Sequence, residues 1–157
     1  MGENLLKIKN VKKAYRKYNL FGKEISKYSA LNGLNLSVGK GQIYGFLGPN
    51  GAGKTTTIKC IIGILEADCG DIIIDGENIK GNDLFLKNKI GFLPEQVGLY
   101  GRLTAKETLR FYGGFYELES DQIEKRGKKL LANLGLEKDA NRKVNEYSLG
   151  MKKRLAL

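Results

Sequence analysis

Histidine is absent from all 157 residues, and cysteine occurs only twice, at Cys60 and Cys69. Two cysteines nine residues apart, with no histidine, exclude both a zinc site and a disulfide scaffold. Both read as small packing residues in a reducing compartment. Long apolar runs are missing too. The segment "CIIGIL" at 60–65 falls far short of the ~20 residues that span a bilayer. The opening "MGENLLKIKN" has no apolar core of a secretion signal. Leu6 stands where a myristoylation signal needs Ser or Thr. A cytoplasmic location is the expectation.

Hydrophobic residues make up 41% of the chain, enough for a real core in one compact domain with room for a lobe. The net charge is +10, from 27 basic and 17 acidic residues. Residues 1–30 hold eight basic and two acidic residues, hence +6 of the total. That excess admits two readings, an anionic partner or a solvated basic face. The basic residues are scattered among apolar ones and form no aromatic–arginine module, which favours the second; no nucleic-acid partner is expected.

Periodicity gives the elements. "LLKIKNVKKAY" at 5–15 alternates Leu6, Ile8 and Val11 with lysines, and "ALNGLNLSVGKGQ" at 30–42 alternates Leu34, Leu36 and Val38; both predict strands. The polar stretch 16–29 between them predicts a loop or hairpin. Short apolar runs at 42–48 and 88–95 predict buried strands, and "DIIIDGEN" at 71–78 a strand ending in an Asp-Gly turn. Ile58, Ile61, Ile62 and Leu65 predict one helical face. Further on, Thr104 to Glu107 is a capping box ahead of Leu109, Tyr112, Phe115 and Tyr116. Gly113 and Gly114 weaken that helix by about 1 kcal/mol each. Ile123, Gly127, Leu130, Leu131 and Leu134 mark another helix, with Gly135 as its C-terminal cap.

One stretch cannot be an ordinary helix or strand. "GFLGPNGAGKTTT" at 45–57 holds four glycines and a proline before a lysine and three threonines. Gly48-x-x-x-x-Gly53-Lys54-Thr55 fits the phosphate-binding loop pattern. Glycines let successive N–H groups turn inward as a nest for an anion, and the following helix aims its positive end at the same spot. Lys54 brings a mobile charge to the β- and γ-phosphates, and the Thr55 hydroxyl suits Mg²⁺. The predicted nucleotide-binding set is Gly48, Pro49, Asn50, Gly51, Ala52, Gly53, Lys54, Thr55 and Thr56. A GTPase would need Asn-Lys-x-Asp; "NKIG" at 88–91 lacks the aspartate, and Asp-x-x-Gly occurs nowhere.

"EYSLGMKKRLAL" at 146–157 resembles the signature segment of ABC-transporter ATPases, whose usual form is Leu-Ser-Gly-Gly-Gln before a basic helix. Ser148 and Gly150 match; Tyr147, Leu149 and Met151 depart. "NVKKAY", then the long stretch from Ala30 to Ile79, then "IGFLPEQVGLYGRLTAKETLRFYG", resemble the same family. The resemblance covers the whole chain apart from 16–29, and its details are similar to ATPase subunits of bacterial and archaeal drug- or polymer-export systems.

The resemblance implies an α/β fold: a P-loop NTPase core with an antiparallel β subdomain and a helical lobe, incomplete at the C-terminus. Residues 1–157 would form a partial ABC ATPase domain, with 1–99 the β subdomain and P-loop core. Residues 100–150 would be the helical lobe, ending in the signature. ATP and Mg²⁺ are the implied cofactors. Tyr15 matches the aromatic that stacks on adenine, with Tyr28 as its rival. The family's loop glutamine, which contacts Mg²⁺ and the attacking water, falls at Glu95, with Gln96 beside it; Thr55 and Glu95 are the implied metal ligands. Ser148, Leu149, Gly150 and Met151 would grip ATP held by an opposite subunit, so a head-to-tail dimer is implied, together with an integral membrane permease and a peripheral place on the inner face of the membrane.

The family's Mg²⁺-binding aspartate, general-base glutamate and switch histidine lie beyond the signature. No catalytic residue is therefore assigned within 1–157. The chain is expected to be a truncated piece whose apolar runs at 42–47 and 89–93 are partly uncovered. Two further readings stay open: a non-catalytic nucleotide-binding module, and a soluble family member acting on ribosomes or DNA.

Overall fold

The computed structural model describes residues 4–81, 83–116 and 118–157. It falls into two compact units, 1–91 and 92–157.

The first unit is built on a four-stranded antiparallel sheet. Strands β1 (Asn4–Tyr18), β2 (Glu24–Gly39), β3 (Cys69–Ile74) and β4 (Glu77–Asn78) lie in the order β2-β1-β3-β4. The stretch 16–29, expected as a loop or hairpin, is the far end of a long β1–β2 hairpin; Tyr18 pairs with Glu24 across a turn. Asn19 closes that turn, its Oδ1 accepting the N–H groups of Phe21 and Lys23.

Ile8 and Val11 are both buried, although three residues apart in a strand should face opposite sides. The register shifts between them, and Asn10 there takes φ 48, a left-handed conformation that asparagine tolerates. The bulge re-phases β1, so that both side chains reach the core. It sits so close to β3 that a Cβ on Gly70 would come within 2.5 Å of the Lys9 and Asn10 carbonyl oxygens.

Helices α1 (Lys54–Ile61) and α2 (Asp83–Lys89) complete this unit. Its core joins Ile8, Val11, Leu31, Cys60, Ile72, Ile74, Ile79 and Leu86. The expected face of α1 is met in part, since Ile61 and Leu65 pack against this core. Thr56, Thr57 and Cys60 turn inward, whereas Ile58 is exposed. The threonines suit burial because Thr57 Oγ1 donates to the Gly53 carbonyl at 2.9 Å. Cys69, expected to pack, is exposed.

The two apolar runs expected as buried strands are not strands. Residues 42–49 and 90–94 are irregular, and Ile43, Tyr44, Leu47, Phe92 and Leu93 are exposed. A strand exists only with a ladder partner, and among the described residues neither run has one. Helix α2, not foreseen, takes up the residues before 90.

The second unit holds α3 (Ala105–Gly114), α4 (Ser120–Asn133) and α5 (Leu149–Leu155) around Ala105, Leu131, Leu136, Val144, Tyr147 and Leu155. The capping box is present: Thr104 Oγ1 accepts the Glu107 N–H, and Glu107 Oε2 accepts the Thr104 N–H. Gly113, costly for a helix, has a packing reason. A Cβ there would lie 2.9 Å from Ile123 Cγ1 on α4. Gly135 ends α4 at φ 65, with its N–H on the Ala132 carbonyl and the Leu136 N–H on the Leu131 carbonyl, which satisfies two orphan acceptors and buries Leu136.

Candidate phosphate-binding site

The loop of residues 48–53 runs into the first turn of α1, and its bonds follow from its residue types. Ala52 N–H donates to the Pro49 carbonyl at 3.3 Å, closing a four-residue turn whose third member, Gly51, has φ 85. A positive φ at that position is the mark of a type II turn, and glycine meets it without strain. Gly53 also has φ 85, and a Cβ there would lie 2.7 Å from the Ala30 carbonyl oxygen and 2.8 Å from Leu31 Cδ2. Two separate constraints thus demand glycine immediately before Lys54.

Lys54 folds back over the loop. Its Nζ donates to the carbonyls of Gly48 and Pro49, each at 2.7 Å. The ammonium therefore stands over the turn that the glycines shape. The first intrahelical bond of α1 runs from the Thr57 N–H to the Gly53 carbonyl at 2.8 Å, so the N–H groups of Lys54, Thr55 and Thr56 precede the helical ladder. Thr55 is exposed. A positive charge, a helix N-terminus and glycine backbone thus converge on one spot, an arrangement that fits an anion and, through Thr55, a hard cation bound with it.

Both candidate adenine aromatics come to this loop. Tyr15 and Tyr28 are directly paired across the β1–β2 hairpin, and about half of each is exposed. Tyr15 Oη lies 3.3 Å from Thr56 Oγ1, and Tyr28 Oη donates to the Gly51 carbonyl at 2.8 Å. Neither contact was foreseen. The hint was the turn at 19–22, which sets the hairpin register and so places position 28 opposite position 15.

The remaining candidates belong to the second unit. Glu95 and Gln96 are exposed in irregular backbone. Ser148 is the N-cap of α5, its Oγ accepting the Met151 N–H at 3.2 Å, while Leu149 and Gly150 are exposed. Just before it, buried Tyr147 donates to the Asp139 carbonyl at 2.7 Å, with Arg142 over its ring. Burial pushes the Tyr147 hydroxyl above its usual range. This knot holds the segment that leads into 148–151.

The family model described as ABC transporter matches residues 31–157. The chain belongs to that family. The linearmycin resistance ATP-binding protein LnrL of Bacillus subtilis (strain 168) is 38% identical over 151 residues, 96% of this chain and 45% of the relative. The bacitracin transport ATP-binding protein BcrA of Bacillus licheniformis is 39% identical over 125 residues, 79% of this chain and 40% of the relative. The chain thus spans under half the length of both. Among solved structures, the dimeric post-hydrolysis form of the ATP-binding cassette MJ0796, bound to ADP and Pi, matches with a TM-score of 0.78 at 29% identity, over 96% of this chain and 66% of that one. The cbiO1 subunit from Clostridium perfringens, part of the complex cbiONQ, also reaches 0.78, at 27% identity over 98% of this chain and 59% of that one. The ABC ATPase fold foreseen in the sequence is therefore borne out.

Proposed function

We propose that this chain binds ATP with Mg²⁺ at residues 48–56 and serves as part of the energy-coupling subunit of an ABC exporter. The observation that carries the reading is Lys54, held 2.7 Å from two loop carbonyls beside glycines in left-handed conformations. Lys54 and the first-turn amides would hold the phosphates, and the Thr55 hydroxyl would ligate the metal. The bound nucleotide would supply the energy of a phosphoanhydride bond. Glu95 or Gln96 would complete the metal and water shell. Relatives named for antibiotic resistance and transport support export over import.

Ser148 to Met151 would meet ATP held by a second copy, in a head-to-tail dimer; the dimeric cassette among similar structures supports this. The partner in the membrane would dock on the aromatic cluster of the second unit. There Phe111 packs edge-on against Tyr100 at 5.2 Å and Phe115 at 5.1 Å, while Phe115 and Tyr116 stay largely exposed. Crosslinks from this cluster to a permease are expected; crosslinks to ribosomal protein or DNA alone would defeat the docking reading.

Calorimetric titration with Mg-ATP tests the binding site. Wild type binds; Lys54→Ala abolishes most of the binding, because the charge beside the β- and γ-phosphates is lost. Equal affinity in both would place the nucleotide elsewhere.

A further inference from the structure

We infer that Tyr28 is a positioning residue of the phosphate loop, and that it acts through its hydroxyl on the Gly51 carbonyl. The inference rests on the phosphate-binding reading of residues 48–56 and gives Tyr28 a role that adenine stacking does not include.

Consider what holds the loop in shape. Glycine at 51 permits the left-handed turn, yet it also leaves the peptide between Gly51 and Ala52 free to rotate. The cost of rotation matters because a peptide carries N–H and C=O on opposite edges. Turned one way, as here, its N–H closes the turn on the Pro49 carbonyl and its C=O is held by Tyr28. Turned the other way, it sets a carbonyl oxygen against a phosphate, and both are electron-rich. A loop that binds phosphate must therefore suppress the second orientation.

The turn's own bond is a weak restraint. Ala52 N–H to the Pro49 carbonyl is 3.3 Å, longer than the usual 2.9–3.0 Å. The Tyr28 bond to the Gly51 carbonyl is 2.8 Å. It is also the contact that ties this peptide to a rigid element, since Tyr28 sits in β2, register-paired with Tyr15 on β1. Tyr15 meets Thr56 from the same hairpin. The two hydroxyls thus touch the loop on either side of Lys54, at 51 and 56, while Lys54 itself engages the carbonyls at 48 and 49. Side-chain donors hold the loop carbonyls at 48, 49, 51 and 53, and the one at Gly51 depends on Tyr28.

A stacking role and a positioning role for Tyr28 separate cleanly. Stacking needs only the ring face, so phenylalanine would serve, and it needs a base in the ligand. Positioning needs the hydroxyl and acts on any polyphosphate.

The experiment measures affinities of Mg-ATP and of inorganic tripolyphosphate for wild type, Tyr28→Phe, Tyr28→Ala and Lys54→Ala. Tyr28→Phe should weaken both ligands to the same degree, roughly two- to tenfold, the range covered by one neutral hydrogen bond. Tyr28→Ala should do no worse than about the same on tripolyphosphate. The ligand-free melting temperature of Tyr28→Phe should stay at the wild-type value, because the residue is half exposed. Unchanged tripolyphosphate affinity in Tyr28→Phe overturns the inference. So does a loss confined to ATP in Tyr28→Ala, which would make Tyr28 the stacking ring. Wild type that binds neither ligand, or Lys54→Ala that binds both normally, would instead defeat the phosphate-site reading, and this inference with it.

Discussion

Lys13 Nζ stands 2.8 Å from Asp68 Oδ1, while Asp68 Oδ2 accepts the Ala14 N–H, also at 2.8 Å. The Asp68 N–H donates in turn to the Lys12 carbonyl. One aspartate therefore fastens three successive residues of β1 to the start of β3, next to the bulge that re-phases the strand. These bonds have a consequence for pH. The Lys13 hydrogen bond first, then the Ala14 N–H, hold the Asp68 carboxyl below its ordinary range.

A carboxyl depressed in the folded state stabilises the fold above its unfolded value of about 3.9, and that stabilisation fades as pH falls through the folded value. Asp68→Asn should thus lower the melting temperature at pH 7 and flatten the acid limb between about pH 2 and 5. Asp75, Glu107 and Glu124 are depressed as well, by Lys89, by Thr104 and by Lys106 respectively, so the difference between the two proteins, not the wild-type curve, isolates Asp68. Circular-dichroism melts across that window check it. Parallel curves for the two proteins would show that the ion pair adds nothing.

Thr104→Ala should destabilise the second unit by about 0.5–2 kcal/mol, the usual range for a lost N-cap. The Glu107 N–H loses its acceptor, and the reciprocal bond to the Thr104 N–H loses its anchor. Thr104→Ser keeps the oxygen and should recover most of the loss. Urea denaturation of the three proteins decides. Equal destabilisation by Ala and Ser would assign the effect to the missing methyl group instead of the cap.

Tyr15→Ala should weaken ATP binding, whereas Tyr15→Phe should leave it nearly intact if the ring face carries adenine. The 3.3 Å approach to Thr56 Oγ1 makes this a sharp test. Fluorescence titration with an ATP analogue reads both variants. Equal loss in the two would assign the contact to the hydroxyl and remove Tyr15 as the stacking ring.

What could be read in the sequence was what depends on neighbours in the chain. The Asn10 bulge aside, β1 and β3 followed their alternation, and the capping box and Gly135 cap formed where their spacing put them. The 48–56 loop was legible because glycine, lysine and threonine have few other reasons to stand in that order. Segments whose fate depends on distant partners were not. Residues 42–47 and 89–93 have the composition of buried strands, but composition cannot supply a ladder. The buried face of α1 kept Ile61 and Leu65 but extended to Thr57, which satisfies its hydroxyl on Gly53 and so can turn inward. Gly113 costs α3 stability by helix propensity alone, and its reason, the close approach of Ile123 on α4, lies outside the helix. The Tyr28–Gly51 bond depends on the hairpin register, to which only the turn at 19–22 pointed, because the polar residues of 16–29 carry no alternation.

Residues 1–157, tested by themselves, should bind ATP and leave it intact. Hydrolysis needs a base positioned for water, a metal held firmly and positive charge at the γ-phosphate. Lys54, Thr55 and the loop amides supply the cradle and part of the charge. Glu95 is the one acid that the family resemblance brings to the metal and water shell, and it sits exposed outside any helix or strand. Histidine, the common proton acceptor near neutral pH, is absent from these residues. A missing general base costs about 10²–10⁴ in rate, and a loosely held metal adds to that. Phosphate release at saturating Mg-ATP, with Lys54→Ala alongside, measures the outcome. Release no faster than in that variant is expected. Steady turnover well above it would mean that a group within 1–157 acts as the base; Glu95→Gln would then be the next variant, and loss of turnover in it would identify the residue.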